Sequence, residues 1–554
     1  MHFAVLFLVA SCAVQGAIAH YGSPNFNETR SFERVIPTEG QVWPQPKVIM
    51  TSPSILIIDP NNFEFILKTS DGQCDLATEA MRRHRQSLFS GCVSEKGPGV
   101  PLRTPKRNPS PIAGALHELD VLLVGPCETL PHMDMNESYD LTLSSDSPAV
   151  LRSKSVWGIM RGLETFSQLV YPYNETHFAA NKTEINDAPR FSHRGLLIDT
   201  SRHFLPVSSI VDTLDAMAYN KMNVLHWHIV DDPSFPFVSE MYPDLSKKGA
   251  YNAETHTYSP SDVSRVLEEA RRRGIRVLAE FDTPGHTQSW GKGYPDLLTP
   301  CYKGTSPNGK YGPINPALES TFRFLETFFE EVVNVFPDQY LHLGGDEVGF
   351  DCWYDRLPTC GIVLCRKKTG SEFPSVHSLW RSSLLLFPQE LSPCRYLPRE
   401  LKGANFSVQQ VAGDTVIHVW KQPLQRTELS RVTGAGHRAL LSSCWYLSDI
   451  SEGSDWKKYY ACDPQDFDGT PEQKALVLGG EACIWGEWVD ATNLISRTWP
   501  RASAVAERLW SPATLVNPDA AAARFEEHRC RMLRRGLHAE PQNGPGFCEC
   551  DHLA

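Results

Sequence analysis

Two acids stand side by side, Asp346 and Glu347, in the stretch "HLGGDEVGF" (342–350), behind a glycine pair that ends the apolar run "QYLHLGG". Adjacent carboxylates repel one another and lose hydration when buried, so the pair asks for a chemistry that needs both. Consecutive side chains at one strand end diverge. They cannot flank a glycosidic bond from its two sides, as separated carboxylates do in most glycoside hydrolysis. One can still protonate the leaving oxygen while the other positions part of the substrate. Substrate-assisted hydrolysis divides the labour in this way, the 2-acetamido group of the sugar replacing the enzyme nucleophile. Asp346, ionised, would hold the acetamido N–H and stabilise oxazolinium-like charge, and its own charge would keep Glu347 protonated as the donor.

Other polar clusters close similar strand-like runs: Asp231, Asp282-x-x-x-His286 and Trp485-x-Glu487. A metal centre is the competing use. "HWH" (226–228) sets two histidines on one side of a strand, with Asp231, Asp232 and Asp282 as further oxygen ligands, a donor set that suits zinc. The bland alternative puts His226 and His228 in the barrel interior, hydrogen-bonded to neighbours. No other strand end supplies a matching bridging histidine or lysine, so no metal and no other cofactor is expected. Trp420, Trp445, Tyr446 and Trp485 fall at late strand ends, where rings can stack on a sugar or wall an acetamido pocket. Arg202, in "DTSRH", and Glu487 would supply fixed charge for sugar hydroxyls.

These residues need a frame. From about 190 short apolar strands alternate with helical patterns: "GLLIDTSRH", "NVLHWHIVDD", "RVLAEFDTPGH", "QYLHLGGDE", "TVIHVWK", "ALLSSCWYL" and "VLGGEACIWGE". Helices such as 208–221 and 261–274 fill the gaps. Repeated βα units imply a parallel sheet, and about eight of them a closed (β/α)8 barrel with its chemistry at the C-terminal rim. Seven strands are readable. The gap lies between 353 and 413, where "SLLLF" (383–387) is the one run that could serve. Residues 20–190 read as a separate, smaller α+β unit, with strand-like runs at 54–59, 119–125 and 139–144 and helices over 76–89 and 156–170. The expected division is a leader at 1–19, an α+β domain at 20–190 and the barrel at 191–554.

The chain has 554 residues, 41% hydrophobic and 21% charged, with a net charge of −12. That balance disfavours nucleic acid as a partner and offers no polybasic handle for a membrane. Phe3–Ala10 is too short to span a bilayer, and Ala17-Ile18-Ala19 suits signal cleavage. Sequons at Asn27, Asn136, Asn174, Asn181 and Asn405 fit the same secretory route. Of the 15 cysteines, Cys12 would leave with the leader and 14 could pair in an oxidising compartment, with connectivity left open by sequence.

With these residues assembled, the chain closely resembles the animal lysosomal β-N-acetylhexosaminidases of glycoside hydrolase family 20. "RGLLIDTSRHFLP", "MAYNKMNVLHWHIVDDPSFPF", "GIRVLAEFDTPGHTQSWGKG", "VFPDQYLHLGGDEV" and "WPRASAVAERLWS" carry the likeness, which covers most of 43–352 and 414–550. The resemblance implies an exo-acting, retaining enzyme that removes terminal β-linked N-acetylglucosamine or N-acetylgalactosamine. It assigns Glu347 as acid/base, Asp346 as the acetamido-orienting residue and Tyr446 as donor to the acetamido oxygen. Trp420 and Trp485 would wall the sugar pocket, with Arg202 and Glu487 on the hydroxyls. Asp231 and His286 would support, His286 bridging Asp282 and the surroundings of the acid. It further implies disulfides Cys74–Cys127, Cys301–Cys352 and Cys530–Cys548, a homodimer, and residence in lysosomes or outside the cell.

Three departures stand out. Residues 353–413 lack the family's fifth strand and its Trp-Gln-Glu-Val ending, an abrupt loss such as a frameshift or retained intron produces. A barrel short of a strand would expose edges and leave a carbohydrate-binding relative with an impaired pocket. Cys444 stands where the family usually has proline. Ser448-Asp449 follows "WYL" where members that accept anionic substrates carry a positive residue, so an acid there favours neutral terminal hexosamines.

Overall fold

The computed structural model describes residues 34–70, 72–94, 97–100, 110–349, 351–354, 365–367, 413–449 and 453–551. The leader, Asn27, Asn405 and "SLLLF" (383–387) lie outside them.

The first unit is built on one main sheet carrying two helices, with a two-stranded ribbon at Cys92–Ser94 and Gly97–Val100. Its hydrogen-bonded order is Glu64–Thr69, Glu118–Leu123, Ala149–Ser153, Tyr139–Leu143, Phe178–Asp187, Val48–Ile58 and Ile112–Ala115. Helix α1 (Asp75–Leu88) is amphipathic, whereas α2 (Val156–Leu169) is buried along its whole length. That follows from its place. Trp157 and Phe166 pack into the core of the first unit, and the Arg161 guanidinium reaches across to the carbonyls of Arg273 and Gly274. Glu137 anchors the junction by accepting from Arg161 (2.8 Å) and Arg194 (2.6 Å). A buried carboxylate is tolerable there only because two guanidiniums meet it.

The second unit is a closed ring of eight strands: β1 (His193–Asp199), β2 (Val224–Val230), β3 (Arg276–Phe281), β4 (Tyr340–His342), β5 (Cys365–Lys367), β6 (Val416–Val419), β7 (Arg438–Leu441) and β8 (Val477–Ile484). Pairing is parallel from β1 through β4, from β6 through β8, and between β8 and β1. Strand β5 is the exception, antiparallel to both β4 and β6. It corrects the expectation that "SLLLF" is the one run able to fill the gap. The unpaired edges of β4 and β6 demand backbone partners, not a hydrophobic pattern, and three residues of polar sequence meet that demand.

Strands β1, β2 and β3 are buried at every position, as parallel strands covered on both faces should be. The helices that cover the outside include α3 (Val207–Tyr219), α4 (Pro260–Arg272), α5 (Glu319–Val335), α6 (Gln425–Gly434), α7 (Trp456–Ala461), α8 (Arg501–Trp510) and α9 (Pro518–Arg534). Helix α4 starts at a capping box, Ser259 with Asp262, that satisfies its first amides. Among the described residues no helix is long and apolar enough to cross a membrane.

Alternation along the strands sorts the barrel interior into layers. Val224, Leu278, Tyr340, Val416 and Leu440 form an apolar floor. Two residues further along β2, β3, β4 and β6, on the same inward face, stand His226, Glu280, His342 and His418, and Glu481 joins them from β8. Above that layer the strands end, and the pocket opens.

Disulfides join Cys74–Cys127, Cys301–Cys352, Cys530–Cys548 and, beyond those the resemblance implies, Cys444–Cys462. Asn136 and Asn174 are exposed; Asn181 is half-buried, its amide nitrogen donating to Ser52 O at 2.8 Å.

Candidate active site

At the C-terminal ends of the strands lies a cavity of about 540 Å³, lined by Arg202, His286, Asp346, Glu347, Trp420, Tyr446, Ser448, Asp449, Trp485, Glu487 and Trp488 above the floor residues His226, Glu280, His342 and His418. Its size suits a small ligand such as one sugar ring with a substituent.

The turn after β4 sets the two acids apart. Gly344 has φ +64°, and a Cβ there would fall 1.7 Å from Asp282 Oδ1, so only glycine fits. Gly345 N donates to Asp282 Oδ1 at 2.8 Å, which ties the turn to β3. Burial, with Asp346 and Glu280 nearby, pushes the Asp282 carboxyl well above the usual carboxylate range. Glu347 itself has φ +48° and His286 φ +54°. Two non-glycine residues held in the left-handed region at one site mark stored backbone strain. The acids end in unlike surroundings: the Asp346 side chain is 25% exposed against the pocket wall, the Glu347 side chain 62% exposed at the mouth.

His286 stands between these acids and Asp231. Its Nδ1 is 3.2 Å from Asp231 Oδ1, and its Nε2 is 3.6 Å from Asp346 and 3.9 Å from Glu347. This corrects the expected bridge to Asp282, whose carboxyl is turned under the glycine pair instead. Burial alone would lower the His286 imidazole. The Asp231 hydrogen bond and the charges of Asp231 and Asp346 outweigh it and lift the group to about 8. Asp231 is buried, yet it faces His228, His286 and Arg202, which together hold it well below the usual carboxylate range.

Arg202 is clamped. Its two terminal nitrogens meet Asp199 Oδ2 (3.1 Å) and Asp231 Oδ2 (2.9 Å), and its guanidinium lies 5.1 Å from the centre of the Trp485 ring. Asp199 also accepts from the backbone of Ser201, Arg202 and Gly486, so one buried carboxylate joins the ends of β1 and β8. Tyr446 crosses Trp485 edge-on with ring centroids 6.3 Å apart, and burial raises its hydroxyl far above the ordinary phenol.

Trp445 is a correction. It is fully buried, packs in the main core and donates through Nε1 to Tyr459 O at 3.0 Å. The pleat turns it away from the cavity into which Tyr446 faces, as neighbours in extended backbone must be. Asp199, Glu280 and Glu481 escaped the sequence reading. Glu280 sits two residues before Asp282 and Glu481 four before Trp485, and that inward period of two was the available signal.

The pair in "HWH" has no nitrogen to spare. His226 lies 2.9 Å from Glu280 and 3.0 Å from Glu481, and His228 lies 2.7 Å from Glu280 and 2.9 Å from Asp231. Asp282 accepts from Gly345 N. Ligand atoms of Asp231, Asp232 and His286 lie within 4.8 Å of one another, but Asp231 and His286 face each other and Asp232 accepts from Gln288 N. The arrangement is one of paired charges that position Asp346 and Glu347 beside an aromatic-walled pocket.

Residues 191–513 match the family described as glycosyl hydrolase family 20, catalytic domain, and residues 42–169 match the description beta-acetyl hexosaminidase like. Among curated proteins, the beta-hexosaminidase subunit alpha of Bos taurus is 49% identical over 517 residues, covering 92% of this chain and 95% of that one. The beta-hexosaminidase subunit beta of Homo sapiens is 46% identical over 515 residues, covering 92% and 90%. Among solved structures, a chitobiase of Flavobacterium johnsoniae superposes with a TM-score of 0.68 at 24% identity, covering 90% of this chain and 73% of that one. An exo-beta-N-acetylglucosaminidase of Vibrio harveyi, in complex with N-acetylglucosamine, gives 0.67 at 20%, covering 92% and 79%. Those two likenesses carry the fold; the matched family and the curated relatives carry membership, and the chain belongs to glycosyl hydrolase family 20.

Proposed function

We propose that this enzyme is an exo-β-N-acetylhexosaminidase that removes terminal non-reducing N-acetylglucosamine or N-acetylgalactosamine with retention, the substrate's own acetamido oxygen acting as nucleophile. The observation that carries the reading is the divergence of Asp346 and Glu347 from one strained turn, one on the pocket wall beside His286 and one at the mouth. Asp231 is committed to Arg202, His228 and His286, so it is a poor enzyme nucleophile. In this reading Glu347 protonates the leaving oxygen and later activates water. Asp346 holds the acetamido N–H, the Tyr446 hydroxyl donates to the acetamido oxygen, and Trp420 and Trp485 confine the group. Arg202 and Glu487 grip ring hydroxyls, while Asp231 and His286 fix the charge behind the acids. Beta-hexosaminidase relatives at 46–49% identity support the same activity.

Proton NMR of the first-formed hexosamine tests the mechanism: the β-anomer is expected. Release of the α-anomer, or equal turnover of a glucoside lacking the N-acetyl group, refutes it. Glu347→Gln is expected to lose at least about a thousandfold in kcat on an aryl N-acetylglucosaminide, a loss within the reach of a missing general acid.

A second reading, sugar binding without turnover, draws on the reversed strand β5, which stands where the family's pocket tryptophan would follow. It predicts N-acetylglucosamine binding with no hydrolysis, and sequencing the transcript across 353–413 separates the two. The proposal extends to a secretory leader at 1–19, units dividing near residue 190, glycans on the sequons, a homodimer and a secreted or lysosomal protein. Asp449 at the mouth favours neutral oligosaccharides over sulfated or sialylated ones.

A further inference from the structure

We propose that the Cys444–Cys462 disulfide is a positioning element for the reaction, fixing the wall of the pocket that carries Tyr446. The inference rests on the reading of that pocket given above.

The bond joins cysteines 18 residues apart. Three pocket-lining residues, Tyr446, Ser448 and Asp449, fall inside the loop it closes. Its near end adjoins the Trp445–Tyr446 pair after β7. Its far end is rigid: Asp463, next to Cys462, meets Arg190 and Arg508, each at 2.7 Å, and Arg508 belongs to the buried helix α8. The cross-link therefore ties a pocket wall to the body of the barrel.

Noncovalent ties run the same way. Trp445 Nε1 donates to Tyr459 O at 3.0 Å, Tyr459 Oη donates to Tyr446 O at 3.3 Å, and both flanking peptides pair with Cys483 of β8, Leu447 N to its carbonyl and its N to Trp445 O. These hold the backbone on the β8 and α7 sides. At Cys444 the chain leaves β7 through a turn, and proline, which would stiffen it by fixing φ, is absent. The disulfide supplies the missing restraint one residue before Trp445, on the side where a hydroxyl donor must meet a developing oxazolinium. Displacement of a reacting group by about 1 Å can cost on the order of a hundredfold in rate.

A double-mutant cycle tests the idea. Cys444→Ser with Cys462→Ser is expected to lower kcat on an aryl N-acetylglucosaminide at least about fivefold at a temperature where circular dichroism shows the fold intact. The same pair in a Tyr446→Phe background is expected to cost less than about twofold, because the hydroxyl it places is already gone. Unchanged kcat, or equal losses in the two backgrounds, overturns the proposal, since a purely structural bond acts alike in both. So do two free thiols at these positions in non-reducing peptide maps of the native protein. Where the serine pair does not accumulate, Cys444→Ala with Cys462→Ala is read in the same two backgrounds. Glu347→Gln, assayed alongside, tests the underlying mechanism: full activity there sinks the pocket reading whatever the disulfide variants do.

Discussion

Replacing His286 by asparagine is the most direct probe of the charge relay behind the acids. Asparagine tolerates the left-handed backbone that His286 adopts and can still donate to Asp231. What it lacks is the titrating charge. The imidazole is lifted to about 8, against about 6.5 for a free one. That difference of about 1.5 pK units favours the folded protein with His286 charged by roughly 2 kcal/mol, at about 1.36 kcal/mol per unit. The charged and titratable groups facing it are Asp231, Asp346 and Glu347, with Arg202 opposing.

The sign follows from proton linkage. A group whose folded value is raised stabilises fully below its unfolded value, and the contribution disappears as pH rises through the folded value. Urea unfolding of wild type and His286→Asn, measured every half unit from pH 5.5 to 9.5, should therefore give a stability gap that is level below about 6.5. The gap should then shrink by roughly 2 kcal/mol between about 6.5 and 8.5. A gap independent of pH, or one that widens toward alkaline pH, refutes the assignment of an imidazolium at this place.

Three further outcomes follow from the geometry. Asp282→Asn, which copies the neutral carboxyl and can still accept from Gly345 N, should keep kcat/KM within about threefold, whereas Asp282→Ala strands that buried amide at about 1–3 kcal/mol and should lose at least tenfold; equal damage from both would mean a charged Asp282. Trp445→Phe should cost about 2 kcal/mol in urea unfolding, through a lost hydrogen bond and a partly emptied site, while the inhibition constant of N-acetylglucosamine stays within about twofold; the opposite pattern would return Trp445 to the pocket. Arg202→Lys removes the fork that spans Asp199 and Asp231, so that inhibition constant should rise about tenfold, and an unchanged value would leave the clamp without a role in binding.

Most of the barrel was legible because buried parallel strands write themselves as continuous apolar runs with polar ends: "NVLHWHIVDD" and "RVLAEFDTPGH" became β2 and β3 with Asp231 and Asp282 beyond them. Strand β5 was not legible, because a strand held only by its neighbours' backbone needs no pattern of its own. At the site, residues that end in the cavity were readable from strand-end position, as Asp346, Glu347 and Trp485 were. Trp445 was misjudged because the side of the chain on which it emerges depends on a single step of the pleat. His226 and His228 look like metal ligands in one dimension; their partners Glu280 and Glu481 arrive from other strands and become visible only in the closed ring.

That ring explains why the charges can be there at all, and in what pH range. A buried ion pair survives if both partners stay ionised. Glu280 is buried, but His342, His228 and His226 hold it well below the usual carboxylate range, and His226, with a hydrogen bond to His193, does the same for Glu481. Such depressed acids stabilise fully above their unfolded value of about 4.3 and lose the contribution as pH falls through the folded value. Against burial, Glu280 raises His228, and Glu481 and Glu280 raise His226. These histidines, with His286, stabilise fully below about 6.5 and lose the contribution as pH rises. Burial drives His418 the other way, down to about 3, so it stays neutral and costs stability as pH falls below about 6.5, which moves the crest toward neutral pH. Only from about 4.3 to 6.5 are both sets of contributions complete. The thermal midpoint of the native protein, scanned from pH 3.5 to 9, should therefore crest inside that acidic window and decline on both sides. In Glu280→Gln the layer loses the acid its three histidines share, so the alkaline decline should flatten and the crest should fall. A native midpoint that keeps rising beyond pH 7 would mean that the histidines under the pocket are neutral and that the paired-charge account of the site is wrong.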